Sequence, residues 1–380
     1  MNDKMRVLRT IHPVGHGGFF TEELCEGNDC FNVVYDCGTR NGLKLLEQNI
    51  NQAFQKKTTI DLLFISHFDS DHVNGLGLLR KKSHLNEHTK VVIPFHYPEY
   101  FALLNPFLYT YYERCMNIIR STGATIIEVE EMNPFEESET WLDSDGGDNH
   151  SFVSFGHLRG IIPSGSRIVL SPKWVYVPFN LNNSKVFFDT FEDEVRNQLG
   201  MDIGDMTPLE LEQNVDILRG IYQLMGKKND RSFNINSNSL IVLSYPTKEV
   251  NSCSTLIGVR KFSADAVSAL YTGDAYLKDF AKGSFPFSYY TALKYTLRKY
   301  VNMPIGLFQI SHHGSNNNYD TLLRNEIGIC QFAFCCQDDR DKMQGTTRKV
   351  CNDLGGIAKV MLHVVDENGG SEIVQEIENI

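Results

Sequence analysis

Three apolar runs in this chain each break off into a turn of histidine and aspartate: "LLFISHFDSDH" (62–72), "ALYTGDA" (269–275) and "LFQISHHGS" (307–315). A short, continuous apolar run reads as a strand buried on both faces. Such strands alternate here with segments of helical spacing, as in "LKLLEQNINQAF" (43–54) and "VNGLGLLRKK" (73–82). That alternation predicts an α/β architecture, and in such folds sites collect where strand ends share one edge of a sheet. The three turns would bring together His67, Asp69, Asp71, His72, Asp274, His312 and His313.

Each turn has an ordinary reading. Asp and Ser are common at helix starts, Gly-Asp is a common turn, and a paired histidine carries little information by itself. Their repetition in one structural context separates them from that background. Imidazole and carboxylate donors together suit Zn, Mn or Fe. Seven donors suffice for two ions about 3.5–4 Å apart, the arrangement that activates water for hydrolysis.

The bulk composition is that of a folded chain. Of 380 residues, 42% are hydrophobic and 22% charged, ordinary values for a globular protein. A formal charge of -11 gives no net field that would draw nucleic acid. The basic stretches "LRKKSH" (79–84), "GKKNDR" (226–231) and "KYTLRKY" (294–300) read as solvated faces. Nine cysteines occur without a CxxC pair, which predicts a reducing compartment. The N-terminal "MNDKMRVLRTIHPV" lacks a signal-peptide core, and no run approaches the ~20 apolar residues of a membrane span. The expectation is a cytoplasmic protein without a membrane partner.

Taken together, "SHFDSDHVNGL", "LYTGDA" and "ISHHGS" resemble the histidine–aspartate motifs of the metallo-β-lactamase fold, the first in an HxDxDH variant. The ordered set "PVGHGGFF" (13–20), "VVYDCGT" (33–39), "SNSLIVL" (237–243) and "ISHHGS" is similar to the hydrolase domain of ComEC-type DNA-uptake proteins. The resemblance covers residues 5–97 and 236–375. It implies a four-layer αββα metallo-β-lactamase sandwich. Residues 1–97 would form its N-terminal half and 236–380 its C-terminal half, with 98–235 a mixed α/β insertion. It also implies that "AKVMLHVVDENGGSEIV" (358–374) is a closing hairpin.

For the site, the resemblance implies metal ligands His67, Asp69, Asp71, His72, Asp274 and His313. Asp71 with His72 would hold one ion and His67 with Asp69 the other. Asp274 would bridge them, with Asp71, His312 and His313 serving the chemistry. His312 or His313 completes the second ion, and the sequence leaves open which. A further histidine of the family pattern falls here on Asn236–Ser239. His150 or His157 is a candidate replacement, and His16 a candidate neighbour. Asp69, in place of a histidine, shifts metal preference toward Mn or Mg without excluding Zn. Ser315 and the Asn316–Asn318 run read as a polar loop that could meet phosphate.

The implied activity is a two-metal phosphodiesterase or nuclease acting on a nucleic acid or nucleotide. The alternatives are a lactone, thioester or small phosphoester hydrolase, and a metal-binding subunit that docks a protein partner through 98–235.

Overall fold

A computed structural model describes residues 4–54, 58–95, 106–131, 152–180, 184–228, 239–250, 252–264, 266–275, 277, 305–316, 318–319, 331–338, 349–350, 352–354, 360–378 and 380. The expected helix over "YYTALKYTLRKYV" and His150 lie outside them.

The strands in chain order are β1 (Met5–Ile11), β2 (Gly17–Glu26), β3 (Asp29–Thr39), β4 (Leu62–Phe64), β5 (Lys90–Pro94), β6 (Thr125–Val129), β7 (Phe152–Ser154), β8 (Gly160–Ile162), β9 (Arg167–Ser171), β10 (Trp174–Phe179), β11 (Ile241–Pro246), β12 (Ser252–Ile257), β13 (Arg260–Ser263), β14 (Ser268–Tyr271), β15 (Ile305–Gln309), β16 (Phe332–Cys336), β17 (Met361–Val365) and β18 (Ile373–Glu378). They form two sheets. One has ten strands in the order β13-β12-β18-β1-β2-β3-β4-β5-β6-β8, the other eight in the order β17-β16-β15-β14-β11-β10-β9-β7.

The inner faces of the sheets enclose a shared core that includes Val7, Phe20, Tyr35, Phe64, Tyr176, Tyr271 and Phe334. The helices α1 (Leu43–Ala53), α2 (Ser70–Val73), α3 (Leu76–Lys81) and α4 (Pro106–Arg120) follow the early strands. Leu46, Ile50, Leu79 and Met116 from this helical layer pack on the outer face of the first sheet. Val350 and Leu354 pack on the outer face of the second. The result is the αββα sandwich expected from the sequence. Strands such as β4 and β15 are buried along their whole length, so they read as apolar runs without alternation.

Residues 98–235 supply strands to both sheets, and the expected hairpin at 358–374 is corrected. β6 extends the first sheet beside β5, β8 follows β6, and β10 pairs with β11 in the second sheet. Without these strands, β5 and β11 would each expose an unpaired edge. The later helices gather a core of their own, against which Tyr109 of α4 packs. They are α5 (Ser184–Leu199), α6 (Pro208–Gln213) and α7 (Val215–Lys228), and that core includes Phe191, Val195, Leu218 and Ile221. The "ENGG" turn does not close a hairpin. β17 pairs with β16 in one sheet while β18 lies between β1 and β12 in the other, so this turn carries the chain across the sandwich. Apolar alternation reports that a segment is a strand, whereas its partner is fixed by long-range packing.

Cys25 and Cys30 face each other across the β2–β3 hairpin and are joined by a disulfide. The sequence reading expected reduced thiols throughout. The other described cysteines, 37, 115, 253, 335 and 336, are buried and not disulfide-bonded.

Candidate metal centre

The centre lies where β3, β4, β14 and β15 end. Near its end β3 carries Asp36, whose backbone takes the left-handed region at φ 57. That conformation costs a non-glycine residue about 1–3 kcal/mol and is fixed here by the side chain. The fully buried Asp36 carboxylate accepts hydrogen bonds from Ser66 N at 2.7 Å, Ser66 Oγ at 2.7 Å and His72 Nδ1 at 2.7 Å. Two residues on, Gly38 lets the helical turn α2 seat against the strand. A Cβ there would stand 2.4 Å from the carbonyl carbon of Asp71.

After β4 the chain enters Ser66, His67 and then α2. Asp69 sits at the N-cap position of α2, yet its side chain makes no capping hydrogen bond. The ordinary helix-cap reading of this aspartate is therefore not what the structure shows. β14 runs into Gly273 at φ 52, where a Cβ would meet Ser66 Cβ at 2.6 Å. Asp274 follows, its N–H held by Ser239 Oγ at 2.8 Å. After β15 comes the turn α8 (Ser311–Gly314), with His312 at φ 49 and His313 at φ 53. Two backbone contacts secure it: His312 N donates to Gly273 O at 3.0 Å, and His313 O accepts from Gln337 Nε2 at 2.6 Å.

The imidazoles are oriented from behind. His72 Nδ1 bonds the Asp36 carboxylate, and His313 Nδ1 lies 2.8 Å from Cys336 O. A carbonyl only accepts, so His313 carries its proton on Nδ1 and keeps its Nε2 lone pair for the centre. His67 Nδ1 lies 2.9 Å from Ser66 Oγ and 3.1 Å from Ser239 Oγ.

The forward atoms converge. Two triads have donor atoms all within 4.8 Å of one another: His67, His72 and Asp274, and His16, Asp71 and His313. Asp274 reaches beyond its own triad. Its Oδ1 is 3.4 Å from His72 Nε2 and 3.7 Å from His313 Nε2, and its Oδ2 is 3.6 Å from His67 Nε2 and 3.6 Å from His312 Nε2. Asp71 Oδ2 is 3.4 Å from both His313 Nε2 and His16 Nε2.

Among the described residues, His67 Nε2, Asp71 Oδ2, His72 Nε2, Asp274 Oδ1 and His313 Nε2 are buried and make no hydrogen bond. Such atoms are costly without a partner. Donors around a small divalent ion with ~2.0–2.1 Å bonds stand about 3.3 Å apart, close to the separations seen here. The residues therefore fit a divalent metal.

Burial and neighbouring charge shift these groups strongly when no ion is present. Burial pushes His67 down to about 3, with the His72 cation adding to the effect. His72 moves the other way, well above its usual range, because Asp274 and Asp36 outweigh its desolvation. Burial, then Asp71 and Asp274, push Asp69 up to about 6. Asp274 falls well below the usual carboxylate range, since His72, His313 and His67 outweigh its burial. Crowded carboxylates and imidazoles of this kind are neutralised together by bound cations.

The structure thus brings His67, Asp71, His72, Asp274 and His313 together. It divides Asp71 and His72 between different triads, because consecutive residues of a helical turn point in different directions. Asp69 lies nearby, its Oδ2 3.9 Å from His67 Nε2, but belongs to neither triad. His312 is one-third exposed at the mouth. His16 is more than a neighbour, since it completes a triad and its ring lies 3.8 Å from that of His313. His157 is exposed, bonded to Ser154 Oγ, and joins neither triad. Asn318 braces the centre from behind, with Oδ1 at 2.9 Å from His312 Nδ1 and Nδ2 donating to Asp274 O. Of the bracing residues, Asp36, Ser66 and Ser239 fall inside the quoted motifs without any local mark of this role, and Cys336 had no signal at all.

Residues 27–166 match the profile of the Metallo-beta-lactamase superfamily. No curated protein matches the chain. Among solved structures, the metallo-beta-lactamase fold protein YhfI from Bacillus subtilis overlaps 95% of this chain and 98% of its own at 8% identity and a TM-score of 0.36. The MIM-1 metallo-beta-lactamase from Novosphingobium pentaromativorans overlaps 92% and 87% at 11% identity and a TM-score of 0.30. Likenesses this distant assign no activity.

Proposed function

With a metallo-β-lactamase superfamily domain as the premise, we propose that this protein is a metal-dependent hydrolase that cleaves phosphodiesters. The observation that carries the proposal is the set of five buried donor atoms without a hydrogen bond, set after three strand ends and gathered into two triads whose donors lie within 4.8 Å of one another. His67, His72 and Asp274 would hold one ion, and Asp71, His313 and His16 a second; Asp274 Oδ1 also lies 3.7 Å from His313 Nε2 of the second triad. Bound divalent ions lower the pKa of water and polarise a phosphoryl oxygen.

The remaining work falls to the chain's own groups. His313 is buried against Asp71 and serves as a ligand. His312 stands at the mouth. Asn318 donates to Asp274 O through Nδ2, so its Oδ1 accepts and the His312 proton sits on Nδ1. His312 Nε2 is then placed to take a proton or, as imidazolium, to deliver one to a leaving oxygen. The buried serines and Asp36 hold the imidazoles and exclude water from behind. The phosphodiester assignment rests on the ordered motif set similar to ComEC-type hydrolase domains, and on the suitability of paired ions for in-line displacement.

The test is a panel of labelled single-stranded DNA, RNA and bis-p-nitrophenyl phosphate across Mn, Mg and Zn. Cleavage that depends on metal and is lost in Asp71→Ala supports the proposal. No cleavage of any phosphodiester with any divalent ion refutes it.

A further inference from the structure

Arg40 follows directly on the end of β3, and its backbone is strapped down on several sides. Its N–H donates to His16 O at 2.7 Å. Thr39 Oγ1 donates to Val14 O at 2.5 Å and accepts from Asn41 N at 2.9 Å. Asn74 grips Thr39 through both N and O, at 3.2 and 2.7 Å. From this fixed base the side chain reaches the mouth of the centre. Its Nε lies 3.0 Å from the buried Asp71 Oδ2, while the side chain as a whole is 57% exposed.

Guanidinium is a rigid fork of five N–H donors. Here one edge meets Asp71, and no protein partner is found for the two Nη groups among the described residues. Four carboxylates (Asp36, Asp69, Asp71 and Asp274) set against two divalent ions leave the centre near neutral. Arg40 then adds one positive charge at its mouth, matching the single negative charge of a phosphodiester.

We propose that Arg40 selects the substrate's charge: its Nη donors take a non-bridging phosphoryl oxygen at the mouth of the metal centre, favouring phosphodiesters over neutral esters. This rests on the phosphodiester reading above and adds the residue that enforces it. The competing role is structural, with Arg40 only countering the charge of Asp71.

The test compares wild type, Arg40→Gln and Arg40→Lys as metal-loaded 380-residue proteins of measured metal content. Calorimetry reads the binding of inorganic phosphate. Kinetics read KM and kcat for bis-p-nitrophenyl phosphate and for the neutral ester p-nitrophenyl acetate. At equal metal content, Arg40→Gln should weaken phosphate binding about tenfold or more, as when a hydrogen bond to a charged group is lost. It should raise KM for the phosphodiester with little change in kcat and leave the neutral ester unaffected. Arg40→Lys, which keeps the charge without the fork, should fall between. Unchanged phosphate binding in Arg40→Gln overturns the proposal, whether or not metal content falls. If wild type cleaves phosphodiesters and Arg40→Gln does so with the same KM, the role of Arg40 fails alone. If wild type hydrolyses only the neutral ester and binds no phosphate, the phosphodiester reading fails and this proposal with it.

Discussion

Two clusters of buried charge lie in this sandwich, and they are built on opposite principles. Between the sheets, Arg9 and Glu22 are almost wholly buried and paired at 2.8 Å. Every neighbour closes the network. Arg9 also donates to Val267 O, Gln375 Oε1 and Ser244 Oγ, and Glu22 accepts from Tyr176, Tyr271 and Ser244. None of their side-chain atoms is left without a hydrogen bond. At the strand ends the reverse holds. His72 and His313 are bonded on one ring nitrogen, and the other points at a carboxylate 3.4 Å away. Burial of charge alone therefore says nothing about function. What marks a binding site is the donor set left open on one side after its other side has been satisfied.

The comparison breaks first on metal. Stripping divalent ions with a chelator should abolish hydrolysis and leave the fold intact, since the sheet core does not depend on the centre; circular dichroism beside an activity assay checks both. Loss of the fold on chelation would make the centre structural instead.

Glu22→Ala should act in the opposite way. It leaves Arg9 buried and unpaired, and removing one partner of a buried pair costs about 3–5 kcal/mol. Urea unfolding of the metal-free protein should show that loss, with metal content per folded molecule unchanged. Asp36→Asn comes next. It weakens the orientation of His72 from behind, and loss of such a partner lowers metal affinity about 10–100-fold. Competition with a chromogenic chelator measures it.

The smallest effect concerns pH, where the clusters have opposite signs. Arg9, Tyr176 and Tyr271 outweigh burial and hold Glu22 below its usual 4.5. Its contribution is therefore full above about 4.5 and is lost as pH falls below that value and through its lower folded-state pKa. Burial raises Asp69 from 3.8 to about 6. In the metal-free protein the folded state then holds this proton longer than the unfolded one does, and stability declines as pH rises from 3.8 to about 6. Asp69→Asn should remove that decline, a gain of about 1–3 kcal/mol at pH 7 that vanishes below 3.8. Bound metal should also remove it. Unfolding curves at several pH values, with and without metal, test the pair.

Much of this was legible in the sequence. Strands buried on both faces announce themselves as apolar runs, and the histidines and aspartates that end them are local signals. His67, Asp71, His72, Asp274 and His313 could be named before their geometry was known. What could not be read depends on distant partners. Cys336 orients His313 through a backbone carbonyl, a group every residue carries. Ser239 gains its place only because β11 begins beside His67. Arg9 and Glu22 lie 13 positions apart on strands that alternate like any other. Within 98–235 the run 167–180 reads as strand and becomes β9 and β10, whereas β6, β7 and β8 carry no such signal, and membership of both sheets could not be read because register and neighbour are set by packing.

The central claim is that the open donor set is a divalent metal centre. Elemental analysis of the purified 380-residue protein, beside Asp274→Ala and Glu22→Ala, tests it most directly. The account expects about two equivalents of divalent metal in wild type, the number a paired-ion hydrolase needs. It expects near zero in Asp274→Ala, and wild-type content in whatever fraction of Glu22→Ala is folded. A folded wild type that binds no divalent metal, or an Asp274→Ala protein that keeps its full complement, would contradict it.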